Sequence, residues 1–120
     1  MQENIKFYKN NKDGSVVTLH NGKLNDEFVL LEANKVDAAF EKHVPVYEIN
    51  NDKILVKIGD VFHPMTDEHY IMWIAYVYDN KVEYVYLNPG DLPQGIFEYI
   101  KGADIYAYCN LHGLWKTTVK

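Results

Sequence analysis

The chain has 120 residues, of which 48% are apolar and 24% charged. This composition suits one main globular domain with room for a small appendage and excludes disorder as the main state. Twelve Lys+Arg stand against seventeen Asp+Glu, a net charge of −5, so a basic footprint for nucleic acid or an anionic membrane is missing and any bound anion must be attracted locally.

In chain order, the first part is crowded with Asn, Lys, Asp and Gly at residues 9–15 and 21–27, around two weak strands, Val16–His20 and Phe28–Leu31. This reads as a small, thinly cored β-unit. Asp37-Ala-Ala-Phe-Glu-Lys predicts one helical turn with Asp37 as its N-cap, acting as a connector. From there the texture is Val-, Ile- and Tyr-rich runs about every ten residues: Val44–Ile49, Ile54–Ile58, Tyr70–Tyr78, Val82–Leu87, Ile96–Tyr99, Ala103–Cys109 and Leu114–Val119. Asn50-Asn-Asp, Asp79-Asn and Asn88-Pro-Gly-Asp punctuate them. Seven such strands predict an all-β fold, an immunoglobulin-like sandwich. Alternation puts Ile105, Ala107 and Cys109 on one face, so the thiol is expected to point inward.

Cys109 is the only cysteine, which rules out an intrachain disulfide and suits a reducing compartment. The start, Met1-Gln-Glu-Asn-Ile-Lys, has no apolar signal core, and the longest apolar run, Tyr70 to Tyr78, is about half a membrane span. A soluble cytoplasmic protein is expected.

The chemistry gathers at the histidines. His43 lies in Glu41-Lys-His-Val-Pro-Val, His63 and His69 in His63-Pro-Met-Thr-Asp-Glu-His, and His112 in Cys109-Asn-Leu-His. With Cys109 they make five potential metal ligands of the nitrogen and sulfur types that suit zinc, copper or iron. Cys-x-x-His is a compact chelate, in which a strand end delivers the sulfur and the next turn returns an imidazole to the same ion. Pro64 pushes His63 toward extended backbone, so His63 and His69 should bracket a loop, with His69 opening the following strand. Structural zinc favours two or more cysteines, although a three-ligand zinc site remains possible. A blue copper centre wants an axial methionine, and none follows His112. Five such ligands with one vacant position favour iron acting on a small molecule. A cupredoxin-like electron carrier using Cys109 and His112, and a zinc-stabilised interaction domain, stand as alternatives. Asp67 and Glu68 read as a solvated loop, Trp73 and Trp115 as core, and His20 lies apart from every motif.

Glu41-Lys-His-Val-Pro-Val, His63-Pro-Met-Thr-Asp-Glu-His-Tyr-Ile, Asn88-Pro-Gly-Asp and Cys109-Asn-Leu-His-Gly-Leu-Trp-Lys, in this order and spacing, closely resemble the superoxide reductases, the desulfoferrodoxin and neelaredoxin family. The resemblance runs from about residue 34 to the end. It implies an immunoglobulin-like sandwich over 37–120 holding a mononuclear non-haem iron, with His43, His63, His69 and His112 as equatorial ligands and Cys109 as the axial thiolate. It implies reduction of superoxide to hydrogen peroxide at the position opposite Cys109. Lys42 matches the lysine beside that position, and Glu41 the glutamate that takes it once iron is ferric. Residues 1–36 resemble a desulforedoxin-like domain. Asn10 and Asp13 occupy the positions of its Cys-x-x-Cys, and residues 24–29 contain no cysteine, so no rubredoxin-type iron is expected there. The resemblance then implies an external electron donor such as rubredoxin, and a homodimer.

Overall fold

The computed structural model describes residues 5–20 and 22–120. Its ten strands lie in three antiparallel sheets. The first is small, in the order β2-β1-β3, from β1 (Lys6–Asn10), β2 (Val16–Leu19) and β3 (Phe28–Leu30). The other two form the sandwich. One has the order β4-β5-β8, from β4 (Pro45–Asn50), β5 (Lys53–Ile58) and β8 (Gln94–Glu98). The other has the order β10-β9-β6-β7, from β6 (Ile71–Tyr78), β7 (Lys81–Tyr86), β9 (Asp104–Cys109) and β10 (Gly113–Thr118). All seven strands expected from Val44 onward are present, within one residue of their expected ends except at the start of β8, which lies two residues earlier.

Turn chemistry joins them as the sequence suggests. Asp79 and Asn80 both take positive φ, 46° and 63°, between β6 and β7. Two left-handed residues in a two-residue loop match the twist of the flanking strands, and Asp and Asn tolerate that conformation. Asn51 does the same between β4 and β5, at φ 59°.

The core has two layers. Ile54, Val56 and Ile58 of β5 pack against Ile74 and Tyr76 of β6 and against Ile105, Ala107 and Cys109 of β9. The opposite face of the four-stranded sheet carries Trp73, Ala75, Val77, Tyr108 and Leu114, which are covered by Ile5 and Phe7. Phe7 lies 5.4 Å from the Trp73 ring and 4.7 Å from Tyr106. A strand buried on both faces reads as a continuous apolar run instead of an alternating one, and this is the physical reason for the Tyr70–Tyr78 texture. The Tyr76 hydroxyl, buried within the sandwich, donates to the Glu98 carbonyl at 2.6 Å and accepts from the Ile100 N–H at 3.1 Å, so its polar tip is satisfied.

Two expectations need correction. Strand β1, the central strand of the small sheet, was not among the expected strands, because Lys6-Phe-Tyr-Lys-Asn has too few apolar residues to signal one without its partners. The helical turn, α1 (Phe40–His43), starts later than expected, with Ala39 at its N-cap and no side-chain cap, so Asp37 does not cap it. The His43 ring bonds the Ala39 carbonyl instead, at 2.7 Å. In the β1–β2 turn the Asn10 carboxamide accepts from the Lys12 N–H at 2.7 Å and the Asp13 carboxylate from the Ser15 N–H at 2.9 Å. These side chains hold the turn by hydrogen bonds, as Asn and Asp commonly do.

Candidate metal centre

The five candidate ligands come from four places in the chain. His43 ends α1, His63 and His69 lie in the loop between β5 and β6, Cys109 ends β9, and His112 sits in the turn into β10. His69 lies two residues before β6 instead of opening it. Antiparallel pairing sets Cys109 opposite Gly113, which folds His112 back over the strand end. Gly113 takes φ 81°, a left-handed conformation that suits glycine.

The structure brings four of the five together at their ligand atoms and sets the His63 ring beside them. One ligand atom from each of His43, His69, Cys109 and His112 lies within 4.8 Å of the other three. His43 Nε2 is 3.0 Å from His112 Nδ1, and Cys109 Sγ is 4.0 Å from the same nitrogen. His63 completes the ring of imidazoles. Successive centroids around the circuit His43, His63, His69, His112 and back are 4.5, 4.6, 4.9 and 4.9 Å apart, with interplanar angles of 72° to 86°. The His43–His69 diagonal is 6.2 Å. Short sides and one longer diagonal describe a square of rings, each edge-on to the next, with the buried thiol beside them.

Hydrogen bonding determines which nitrogens are free. A carbonyl can only accept, so Nδ1 of His43 donates to Ala39 and Nδ1 of His63 donates to Pro64, each at 2.7 Å. Both rings then carry an unprotonated Nε2, which in His43 accepts from His112 Nδ1 at 3.0 Å and in His63 has no partner, the arrangement by which an outer hydrogen bond orients a metal-binding histidine. The Nε2 atoms of His63 and His69 are buried without a hydrogen-bond partner. Buried polar atoms normally find one, and a cation at the centre would supply it.

The electrostatics agree. Burial holds His63 down at about 4, assisted by the three neighbouring imidazoles and opposed by its bond to Pro64. Burial likewise lowers His43, and it lowers His69 together with His112 and Lys42. These three rings are neutral at neutral pH and available as ligands. Burial raises the Cys109 thiol, against the N–H groups of Leu111 and His112. A nearby cation would favour the thiolate. The residues present therefore fit a metal ion of the nitrogen- and sulfur-binding kind.

Glu41 and Lys42 are exposed on α1, directly before His43. The charge of Lys42 reaches His69 and that of Glu41 reaches His43, so both stand near the cluster. Asp67 and Glu68 are exposed in the loop, and His20 is exposed on the small unit.

Several supporting residues were not singled out from sequence. Trp115 is fully buried, stacks on His43 at 4.8 Å and donates its Nε1–H to the His112 carbonyl at 3.1 Å. The sequence reading assigned it to the core, which it joins, and missed this polar role. Gly59 has φ 87°, and a Cβ there would lie 2.5 Å from the Val61 carbonyl oxygen and 2.6 Å from that of Lys42. Asn110 accepts from the Tyr70 N–H at 3.0 Å and donates to the Glu68 carbonyl at 3.0 Å, tying the His69 loop to the strand that carries Cys109. Gly90 of the Asn88-Pro-Gly-Asp motif donates to the Met65 carbonyl at 2.8 Å and secures the same loop. Trp115, Gly59 and Asn110 lie within four residues of a ligand, which is their signal in the sequence, whereas Gly90 lies far from every ligand and is marked by the Asn88-Pro-Gly-Asp motif.

A β-sandwich with four imidazoles and a thiol gathered at one end, from elements that flank both of its sheets, presents a candidate metal centre. The family model for desulfoferrodoxin matches residues 35–118, and the chain belongs to that family. It is 44% identical to the desulfoferrodoxin of Syntrophotalea carbinolica, over 98% of each chain. It is 34% identical to the superoxide reductase of Pyrococcus horikoshii, over 67% of this chain and 87% of the other. The crystal structure of the superoxide reductase from Treponema pallidum superposes with a TM-score of 0.73 at 29% identity, over 94% of this chain and 98% of that one.

Proposed function

We propose that this protein is a superoxide reductase, with iron held by His43, His63, His69, His112 and Cys109. The observation that carries the reading is the square of four imidazoles beside a buried sulfur. Family membership and the named superoxide reductases among its relatives support it. When iron is bound, the chemistry supplied is one-electron reduction, in which superoxide, one electron and two protons become hydrogen peroxide without release of dioxygen.

The chain's own residues do the rest. Four imidazole ligands and a thiolate would leave the site with net positive charge once a divalent ion is present, so a small anion is attracted in spite of the acidic chain. Lys42 adds a mobile positive charge at the rim, draws superoxide in and orders a water that delivers a proton. Glu41 on the same turn would offer a carboxylate to a bound ion. Burial of Cys109 keeps its sulfur away from solvent oxidants.

The three-stranded sheet is proposed to be a desulforedoxin-like unit, residues 1–36, that carries no metal, beside a catalytic sandwich over 37–120. Asn10 and Asp13 in place of cysteines support this. An external donor of the rubredoxin kind would then reduce the iron, and a homodimer is supported by the exposed Val29 and Leu30 on edge strand β3. A lone cysteine supports a cytoplasmic location, and no helix among the described residues is long and apolar enough to cross a membrane.

Anaerobic purification followed by metal analysis and a superoxide-consumption assay tests the reading. About one iron per chain is expected, with superoxide consumed without dioxygen evolution and both properties lost in Cys109→Ala. One copper or zinc per chain with no consumption would favour the carrier or the structural-zinc alternative instead.

A further inference from the structure

Between the β1–β2 hairpin and the sandwich lies a half-open cavity of about 580 Å³. That lies within the ~300–1,000 Å³ range of small-molecule sites. The β1–β2 hairpin forms one wall with Lys9 and Gly14, and the sandwich forms the other with Trp73, Tyr86 and Tyr108.

A bulge shapes the sandwich wall. Pairing of β6 with β9 shifts register between Ile71 and Trp73. Ile71 faces the sandwich core, whereas Met72 and Trp73 both pack on the opposite side. Bulges re-aim side chains in this way, and here two consecutive residues turn toward the small sheet. Trp73 and Tyr108 lie 5.6 Å apart with their planes only 14° from parallel, and Tyr86, 73% exposed, forms the rim.

The hairpin wall contributes charge. Side chains alternate along a strand, so Lys9 shares the sandwich-facing side of β1 with the buried Phe7. Among the described residues no carboxylate pairs with Lys9, and no acidic residue lines the cavity. In a chain of net charge −5, an inward lysine without a counter-ion, beside several aromatic rings, is complementary to one kind of molecule.

We propose that this cavity binds a planar aromatic anion, a conjugated ring system bearing a phosphate or similar group. Its ring lies against the exposed face of Tyr86, over a floor formed by the buried, mutually stacked Trp73 and Tyr108, and its anionic group meets Lys9 Nζ. Tyr70 and Asn110 also line the cavity, and they directly follow His69 and Cys109. The Tyr70 N–H donates to Asn110 Oδ1 at 3.0 Å and the Asn110 N–H donates to the Tyr70 carbonyl at 3.2 Å. An occupant therefore sits one residue from two candidate metal ligands. The binding stands whether or not the metal centre reduces superoxide.

Flavin mononucleotide is the probe, with riboflavin as the arm that lacks the phosphate. The full-length protein, as purified, is titrated with each and followed by tryptophan fluorescence and calorimetry. Saturable one-to-one binding of flavin mononucleotide is expected at roughly 1–50 µM. Lys9→Ala should weaken it about tenfold and leave riboflavin unaffected. Tyr86→Ala should weaken both about threefold or more. Both side chains reach solvent, and circular dichroism checks that the variants fold. No saturable binding below 1 mM on the order-of-magnitude scale of weak ligands, equal affinity for the two flavins, or an unchanged affinity in Lys9→Ala would each overturn the proposal.

Discussion

The indole of Trp115 stacks on the imidazole of His43 at 4.8 Å and 25° from parallel, while its N–H holds the carbonyl of His112. One buried side chain thus positions two imidazoles from different parts of the chain. Trp115→Phe keeps a ring against His43 and removes the hydrogen bond. Metal affinity should fall about tenfold, the usual scale for an outer-shell partner, with a smaller loss of stability than in Trp115→Ala, where ~3–5 kcal/mol is expected from the emptied core site. Chelator competition with cobalt and urea unfolding of the metal-free protein measure the two effects separately. Equal metal affinity in wild type and Trp115→Phe would assign Trp115 to packing alone.

Gly59 lets the loop that leads to His63 lie against the backbone of α1, where its N–H donates to the Val44 carbonyl at 3.2 Å. Gly59→Ala puts a methyl group into two carbonyl oxygens at a positive φ. A loss of about 2–4 kcal/mol is expected, more than the usual strain of a left-handed residue because neither oxygen belongs to a flexible side chain. Chemical denaturation measures it, and a change below about 1 kcal/mol would mean that the loop relaxes freely.

His63 is held at about 4 against an ordinary value of 6.5. Between those values the unfolded chain binds a proton that the folded chain does not, so stability rises with pH there and is lost as pH falls through the folded value. His43 and His69 shift in the same direction. The melting temperature of the metal-free protein should be level above about pH 7 and fall steadily toward about pH 4. His63→Gln should flatten part of that slope, and an unaltered slope in this variant would remove His63 as its source.

Lys42 carries an exposed charge beside the cluster. In Lys42→Ala the second-order rate with superoxide should drop by about tenfold at low salt, and its dependence on ionic strength should weaken, with metal content unchanged. Stopped-flow or pulse-radiolysis rates at several salt concentrations test this. Identical salt dependence in the two proteins would take Lys42 out of substrate capture.

Much of this was legible in the sequence because strands and ligand motifs are local signals. The two-residue turns at Asn51 and Asp79-Asn80 were marked by residues that accept positive φ, and Cys109 inward of β9 followed from alternation. Strand β1 was not legible, since Lys6-Phe-Tyr-Lys-Asn becomes a strand through pairing with β2 on one side and β3 on the other. Nor was the start of α1, where Ala39 stands at the N-cap without a side-chain cap and its carbonyl accepts both the Lys42 N–H and the His43 ring.

The sequence by itself determined the β-class of the protein and the kinds of side chain available to a metal, because residue chemistry and the period of a strand are properties of short stretches. Only the tertiary structure decided that His43, His63, His69 and His112 stand in a square, which nitrogen each of His43 and His63 leaves free, and that Phe7 and Lys9 are turned onto the back of the sandwich. Those relations join residues tens of positions apart. They depend on how sheets register and stack, which no local pattern records.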